Sequence, residues 1–362
     1  MVQVIVLGVI AVAGFFLTRA VALSNRRLAI QDAAEWFRKG NQFVEAGRVD
    51  AAVDAFRRAT VRDRADRAYV LALAQALVLK RDYDSARSLL LRVREAAPED
   101  ARINLDLARV AAARQDVTEA LRFYHDALYA PWAVEQAATR RAVRIELIRF
   151  LLAHNQTDRA EAELLAAAAD TPDDAAHRTE LAGLFTQAGD DRNALDQLQR
   201  ALRREPHDPQ ALADAAQAAF RLGQYPLAQR YLHQLPDDVN AATHLREVVD
   251  QVISRDPMAG RIGARERQRR LEADASYATQ RLAQCTQRNA AAPVEADADL
   301  QNELGALTER LRRPVPLDQD TVESSLDLIA RVEREAVARC GPASAVDEAL
   351  LLIAREHGAP TR

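Results

Sequence analysis

Apolar residues recur along most of the chain at spacings of three and four, which is the spacing of side chains on one face of an α-helix. From residue 33 the pattern also repeats every 34 residues. Small residues occupy the eighth and twentieth positions of the repeat and a large apolar residue the twenty-fourth, as Gly40, Ala52 and Phe56 show. The pattern predicts pairs of helices that cross closely at the small residues, with the large side chain filling the space between neighbouring pairs.

Six copies of this repeat follow one another, with six residues inserted after the third. A Gly or Asn near the fifteenth position permits a turn between the two helices, and a proline near the thirty-second ends the second helix. This pattern resembles the tetratricopeptide repeat family, which implies an all-α, right-handed superhelix, an α-solenoid. The predicted repeats are 33–66, 67–100, 101–134, 141–174, 175–208 and 209–242.

Beyond residue 242 the period fades, although helical spacing continues. Residues 243–357 are predicted to form a helical bundle that caps the solenoid, and 358–362 a tail. A separate four-helix domain is the alternative. No residue pattern in this region indicates a catalytic or ligand-binding site.

Residues 2–17 are apolar except for Gln3, and residues 18–23 extend the stretch far enough for a transmembrane anchor at 1–23. The alternative is a signal peptide cleaved near Ala20-Val21-Ala22. Residues 24–32 are predicted to be a juxtamembrane linker. Arginines that follow the anchor favour a single-pass protein of the bacterial inner membrane with its soluble part in the cytoplasm; a periplasmic location is the alternative.

Composition and motifs narrow the function. Among 362 residues, aromatics make up only 5%, which argues against a β-sandwich or barrel, and a net charge of −4 gives no strong field for nucleic acid. The sequence lacks phosphate-loop, dinucleotide, zinc-protease and nucleophile-elbow motifs, and its seven histidines are scattered. We therefore expect no enzymatic activity, cofactor, metal or small-molecule substrate.

The family resemblance implies a concave groove lined by the first helix of each repeat, at positions two, five, nine, twelve and thirteen. Four arginines among apolar and amide groups suit an acidic segment of a partner protein. Candidate contact residues are Phe37, Asn41, Gln75, Arg102, Arg109, Arg149, Gln187, Gln217 and Arg221.

Two related groups of proteins set limits on this groove. Chaperone-binding repeats clamp a terminal carboxylate with five polar residues; Asn41 and Arg102 match that clamp, but Phe37, Ala72 and Asp106 do not. Lipopolysaccharide-assembly regulators share the anchor-and-repeat plan but end in a four-cysteine module that this chain lacks. Neither specific role is expected here.

Cys285 and Cys340 are the only cysteines, and each lies on an apolar helical stripe. They are predicted either to be buried thiols or to form one disulfide, which a periplasmic location would favour. Three functions follow: a membrane-tethered scaffold or adaptor in a cell-envelope process, a periplasmic envelope-assembly factor with this disulfide, and, more remotely, an enzyme with a site in the C-terminal bundle.

Overall fold

The computed structural model describes residues 2–64, 66–236, 240–288, 295–313, 315–341 and 344–357, and leaves undescribed the side chains of 2–13, 240, 241, 288 and 295–297. Over these residues the fold is all-α and contains no strand. The chain divides into two compact units, Met1–Ala167 and Ala168–Arg362. Each unit is described separately below.

The first unit consists of helices arranged as successive hairpins, with the unit boundary falling inside its last helix. Its helices are α1 (Val2–Glu45), α2 (Val49–Arg62), α3 (Arg67–Leu79), α4 (Tyr83–Ala96), α5 (Ala101–Ala113), α6 (Val117–Leu128), α7 (Ala137–Ala153) and α8 (Thr157–Asp170), with a short 3₁₀ helix at Val134–Gln136. Each helix from α1 to α6 packs on the next one in sequence.

The second unit begins with the same helix hairpins and continues into longer helices. Its helices are α9 (Ala175–Ala188), α10 (Asp191–Arg204), α11 (Pro209–Arg221), α12 (Tyr225–Leu232), α13 (Asn240–Arg255), α14 (Ala264–Arg288), α15 (Glu295–Leu311), α16 (Gln319–Cys340) and α17 (Ala345–Glu356). Every predicted repeat range therefore contains all or part of at least two helices.

The turn inside each hairpin uses one residue with positive φ, at the fifteenth position of all six repeats. Glycine fills it three times, at Gly47, Gly189 and Gly223, and Asn155 once. Arg81 and Gln115 fill it in the second and third repeats, with φ of 66° and 62°. A side chain with a Cβ is unfavourable there, so these two turns are held by the packing of the helices they join.

Aspartates begin many of the helices. Asp100 accepts hydrogen bonds from the backbone N–H groups of Arg102 and Ile103 at the start of α5, at 2.9 and 3.3 Å. Asp208 does the same at the start of α11. Each cap satisfies backbone donors that the first turn of a helix leaves unpaired, which fixes where the helix starts.

The core of the first unit follows the repeat positions. Gly40 on α1 lies against the fully buried ring of Phe56 on α2. A Cβ built on Gly40 would approach that ring to 2.4 Å, so only glycine allows the two helices this close. Ala52 and Ala86, at the twentieth position, are both 0% exposed.

Residues 24–32 lie within α1, whereas the sequence predicts a linker there. No glycine or proline occurs between residues 15 and 39, so nothing interrupts the helix. Among the described residues, none of the helices is both long and apolar enough to pass through a membrane. The side chains of the first thirteen residues of the predicted anchor, 1–23, lie outside the described residues.

In the second unit, the helices after residue 242 share one hydrophobic cluster with those of the last two repeats. Buried members extend from Ala182 on α9 to Ile353 on α17. The helix α13 packs against α12 and α17, and α14 packs against α15 and α16. The C-terminal bundle and repeats five and six therefore form one hydrophobic core.

Cys285 on α14 and Cys340 at the end of α16 form a disulfide, with their Cα atoms 5.7 Å apart. This separation lies within the range that a disulfide requires. The bond joins two helices of the second unit and leaves no free cysteine in the chain.

Candidate partner-binding groove

The first helices of the first three repeats line an open cavity of about 330 Å³ in the first unit, which we call the groove cavity. α1 contributes Asn41 and Val44, and α5 contributes Asp106 and Arg109. α3 lies between them and supplies most of the wall, including Gln75 and Leu79. A 34-residue repeat puts equivalent faces of these helices side by side, which is why one cavity collects residues so distant in sequence.

The floor and rim of the groove cavity are apolar. Phe56 and Leu90, from the second helices of the first two repeats, are buried beneath it. Val44 and Leu79 stand at its edge and are 37% and 55% exposed. An exposed apolar rim above a buried apolar floor can accept an apolar side chain of a ligand.

Two amide side chains reach the cavity. Asn41 is exposed and forms no hydrogen bond with any described residue, so its carbonyl and NH₂ groups are available to a ligand. Gln75 is also exposed and donates a hydrogen bond from Nε2 to Oδ2 of Asp106, at 3.3 Å. Amides can pair with both the N–H and the C=O of a peptide backbone.

A network of charged groups extends from the groove cavity to α7. Arg109 donates two hydrogen bonds to Glu146, from Nε at 2.9 Å and from Nη2 at 2.7 Å. Tyr124 donates to the same carboxylate at 2.9 Å, and Asp106 lies 4.0 Å from Arg109. Arg109 therefore bridges two carboxylates, one from its own helix and one from the next repeat.

Burial and hydrogen bonding act in opposite directions on these groups. Burial raises the pKa of Asp106 above its usual value, although Gln75 and Arg109 partly offset the rise. Burial also acts to raise the pKa of Glu146, but the hydrogen bonds from Arg109 and Tyr124 outweigh it and hold that pKa below its usual value. Glu146 is thus ionised at neutral pH, and Arg109 is already paired.

Family models of the tetratricopeptide repeat match the sequence, one over residues 43–110 and 185–251 and a second over 146–209. These stretches of the chain contain tetratricopeptide repeats. The models leave residues 111–145 unmatched, a stretch that includes the six-residue insertion. The prediction of tetratricopeptide repeats is thereby confirmed for the matched stretches, and the described residues confirm the all-α class. The six repeat boundaries stay predictions.

Several solved structures are similar to part of this chain. YrrB, described as having an unusual peptide-binding site, is 18% identical with a TM-score of 0.41, over 54% of this chain and 100% of its own. PilF of Pseudomonas aeruginosa is 14% identical with a TM-score of 0.42, over 57% and 91%. PilW, a type IV pilus biogenesis factor, is 19% identical with a TM-score of 0.41, over 60% and 98%. No curated protein matches the sequence.

The structure brings three of the predicted contact residues, Asn41, Gln75 and Arg109, into one cavity of the tetratricopeptide repeats. Arg102 and Arg149 are exposed on the first helices of the third and fourth repeats. Their charges act on the groove carboxylates, since Arg102 lowers the pKa of Asp106 and Arg149 that of Glu146, in each case as a smaller influence. Arg109 is thus part of the charge network of the first unit, and Arg102 and Arg149 influence its carboxylates.

Phe37 was expected to contact a partner, but it lies in the aromatic packing of the first repeat. Its ring is 5.7 Å from that of Phe56 and 5.0 Å from that of Tyr69, and its side chain is half-buried. Position five faces the next repeat here because a large aromatic ring gains more from packing than from exposure.

The four candidate arginines do not all present an uncompensated positive charge to an acidic partner, contrary to the expectation from the sequence. Arg109 is paired with Glu146, and Arg221 is paired with Asp191 at 2.6 Å in the second unit. Their positive charges are largely compensated within the chain. In the second unit, Gln187 is exposed and Gln217 half-buried on the first helices of repeats five and six.

Sequence reasoning missed several residues that line the groove cavity. Val44 and Leu79 occupy groove positions twelve and thirteen, but their apolar side chains alone do not distinguish contact residues from core residues in the sequence. Asp106 occupies the sixth position, as does Glu146 in its own repeat. A search of the sixth position for charge would have found both carboxylates.

A separate cluster of carboxylates lies in the second unit. Asp274 on α14, Glu333 on α16 and Asp347 on α17 are each at most 1% exposed. Asp274 pairs with Arg255 at 2.8 Å, while Asp347 accepts hydrogen bonds from Tyr277 and from the backbone of Ser344. Within the described residues no group of three or more histidine, cysteine or acidic side chains could hold a metal ion. A substrate cannot reach such buried carboxylates in this conformation.

Proposed function

We propose that the chain is a protein-binding scaffold that holds a peptide segment of a partner in the groove cavity. The observation that supports this function is the combination, in one open cavity, of a buried apolar floor and the uncommitted amide of Asn41. An extended segment buries one apolar side chain against Phe56 and Leu90. Asn41 and Gln75 then bond with its backbone.

The charges of the groove narrow the chemistry of the segment. Asp106 lies in the cavity wall and repels a carboxylate inserted deep into it, so a clamp for a terminal carboxylate does not fit. Arg102 is exposed one helical turn before Asp106 on α5. The preferred segment therefore carries an apolar residue for the cavity and an acidic residue beside it for Arg102.

The test is peptide selection followed by mutation. A library of random peptides is selected on the full chain, and the affinity of an enriched peptide is measured by fluorescence anisotropy. The double variant Asn41→Ala with Gln75→Ala removes two hydrogen-bonding side chains and should weaken binding by about tenfold, at about 1 kcal/mol per hydrogen bond or slightly less.

The matched control changes the same kind of side chain in the second unit, as Gln187→Ala with Gln217→Ala. It should leave the affinity unchanged. Enrichment of no peptide, or equal affinity for the wild type and the Asn41 and Gln75 variant, would count against the groove cavity as the binding site.

We propose further that α1 tethers the scaffold to a membrane and that the rest of the chain lies on an oxidising, periplasmic side, in a cell-envelope process. The apolar run of residues 2–17 supports the tether, and the Cys285–Cys340 bond supports the compartment, because reducing compartments keep thiols free. This reverses the cytoplasmic location favoured by the arginines. A C-terminal topology reporter in cells decides between the two sides, and a cytoplasmic signal would contradict the proposal.

A further inference from the structure

A second cavity in the first unit lies at the turn between α2 and α3 and has a volume of about 520 Å³. It shares no lining residue with the groove cavity, so the two cavities are distinct. It combines three arginines with a largely apolar lining and contains no acidic side chain among its described lining residues. The lining includes Arg64, Arg67, Arg92, Val61, Val70 and Val93. We call it the arginine cavity.

The charges of these three arginines are not compensated by close partners. Arg64, Arg67 and Arg92 are exposed and form no ion pair with any described residue. Other arginines of the same repeats differ in this respect: Arg87 pairs with Glu119 at 2.6 Å and Arg94 with Asp126 at 2.8 Å. Asp66, which precedes Arg67 in the sequence, accepts a hydrogen bond from the backbone of Ala68 and caps α3. Three uncompensated positive charges around an apolar surface fit an anionic, amphiphilic ligand.

The position of the arginine cavity along α1 points to the source of that ligand. Arg62, at the end of α2, pairs with Asp32 of α1 at 2.9 Å, so the α2–α3 turn lies level with residue 32. Leu23 lies nine residues earlier on the same helix, which corresponds to about 14 Å. The cavity is therefore at the end of the first repeat that faces the N-terminal part of α1.

That N-terminal part of α1 exposes large apolar side chains. Phe15, Phe16 and Leu17 are 60%, 60% and 67% exposed, and Val21 and Leu28 are also exposed. An uncovered apolar helix that leads into a surface of arginines matches the two layers of a lipid bilayer, its apolar interior and its anionic headgroups.

We propose that the arginine cavity binds the anionic headgroups of the bilayer into which the apolar part of α1 inserts. The proposal extends the membrane tether proposed above by assigning a specific headgroup contact to the first two repeats. An acidic protein segment would satisfy the arginines but would leave the exposed apolar part of α1 uncovered, so the lipid surface is favoured.

The test is flotation of the full chain with vesicles of phosphatidylcholine alone and of phosphatidylcholine mixed with phosphatidylglycerol. The triple variant Arg64→Gln, Arg67→Gln, Arg92→Gln should bind the mixed vesicles about a hundredfold more weakly than the wild type, from about fivefold per arginine. Its binding to neutral vesicles should be unchanged, because α1 is intact. The corresponding lysine variant should keep most of the binding.

The matched control is Arg192→Gln, Arg203→Gln, Arg265→Gln, which removes the same charge from exposed sites of the second unit. Equal binding of the glutamine variant and the wild type to mixed vesicles would overturn the proposal, and so would an equal loss in the control. Loss of binding to polyglutamate without loss of vesicle binding would also overturn it. If the tether fails, the wild type does not bind neutral vesicles, but it still binds mixed vesicles more tightly than the glutamine variant does. Failure of the tether is therefore distinguishable from failure of the arginine cavity.

Discussion

Replacing Glu333 by glutamine should remove a pH dependence from the stability of the second unit. Glu333 is fully buried, and neither of its carboxyl oxygens has a hydrogen-bond donor among the described residues. Burial, which has the larger effect, and the adjacent Asp347 together raise the pKa of Glu333 to about 8; Asp347 acts by repulsion and by accepting a hydrogen bond from the protonated form. Arg281 and Arg255 oppose the rise but do not cancel it.

Whether stability rises or falls with pH follows from which state of the chain, folded or unfolded, keeps the proton on Glu333. Below the ordinary pKa of 4.5, both the folded and the unfolded chain carry the proton. Between that value and about 8, only the folded chain keeps it, so the free energy of unfolding falls as the pH rises. The slope approaches about 1.4 kcal/mol per pH unit, and integration from about pH 6 to about pH 8 gives a loss of about 2 kcal/mol.

The assay is urea unfolding followed by far-ultraviolet circular dichroism at both pH values. Tryptophan fluorescence does not serve, because Trp36 and Trp132 both belong to the first unit. Glu333→Gln should be less sensitive to this pH change than the wild type by about 2 kcal/mol. The control is Glu335→Gln, since that side chain is 42% exposed on the same helix. The reasoning is refuted if the wild type and Glu333→Gln lose the same stability between the two pH values.

Three further changes probe the repeats and the disulfide. Gly40→Ala should destabilise the first unit by about 1–3 kcal/mol, because its Cβ meets the Phe56 ring; Trp36 fluorescence in urea measures this, and a neutral result would contradict the close crossing. Gln115→Gly should stabilise the first unit by about 1 kcal/mol, since it relieves a positive φ, and an unchanged urea midpoint would argue against strain in that turn. Reducing the Cys285–Cys340 bond should lower the stability of the second unit by about 4 kcal/mol, from the loop it closes, and thermal unfolding with and without dithiothreitol tests this.

The periodicity of the sequence predicts the helix hairpins because the residues that form each turn and each close helix crossing lie within a single repeat. The fifteenth position shows both the reach and the limit of that reasoning. Gly47 and Gly223 indicate a turn because glycine favours positive φ, whereas Arg81 adopts the same positive φ although its residue type does not indicate a turn. In that case only the register of the neighbouring repeats reveals the turn.

The groove was harder to predict because its charges are set by pairs from different repeats. Arg109 and Glu146 are 37 residues apart, which is neither a local spacing nor one repeat. The insertion between the third and fourth repeats shifts the register, so sequence spacing alone does not match the arginine with its carboxylate. A count of the groove arginines in the sequence therefore overestimates the uncompensated positive charge at the groove surface.

The unbroken course of α1 has a mechanical consequence for any partner held in the groove cavity. Asn41 and Phe15 stand on the same helix, about 39 Å apart along its axis, with no hinge residue between residues 15 and 39. A flexible linker would let the cavity sample a wide volume above its attachment point. In the proposed tether, a continuous helix moves as a rigid rod, so a tilt of its N-terminal part moves the cavity sideways while the distance of the cavity from the attachment point stays fixed.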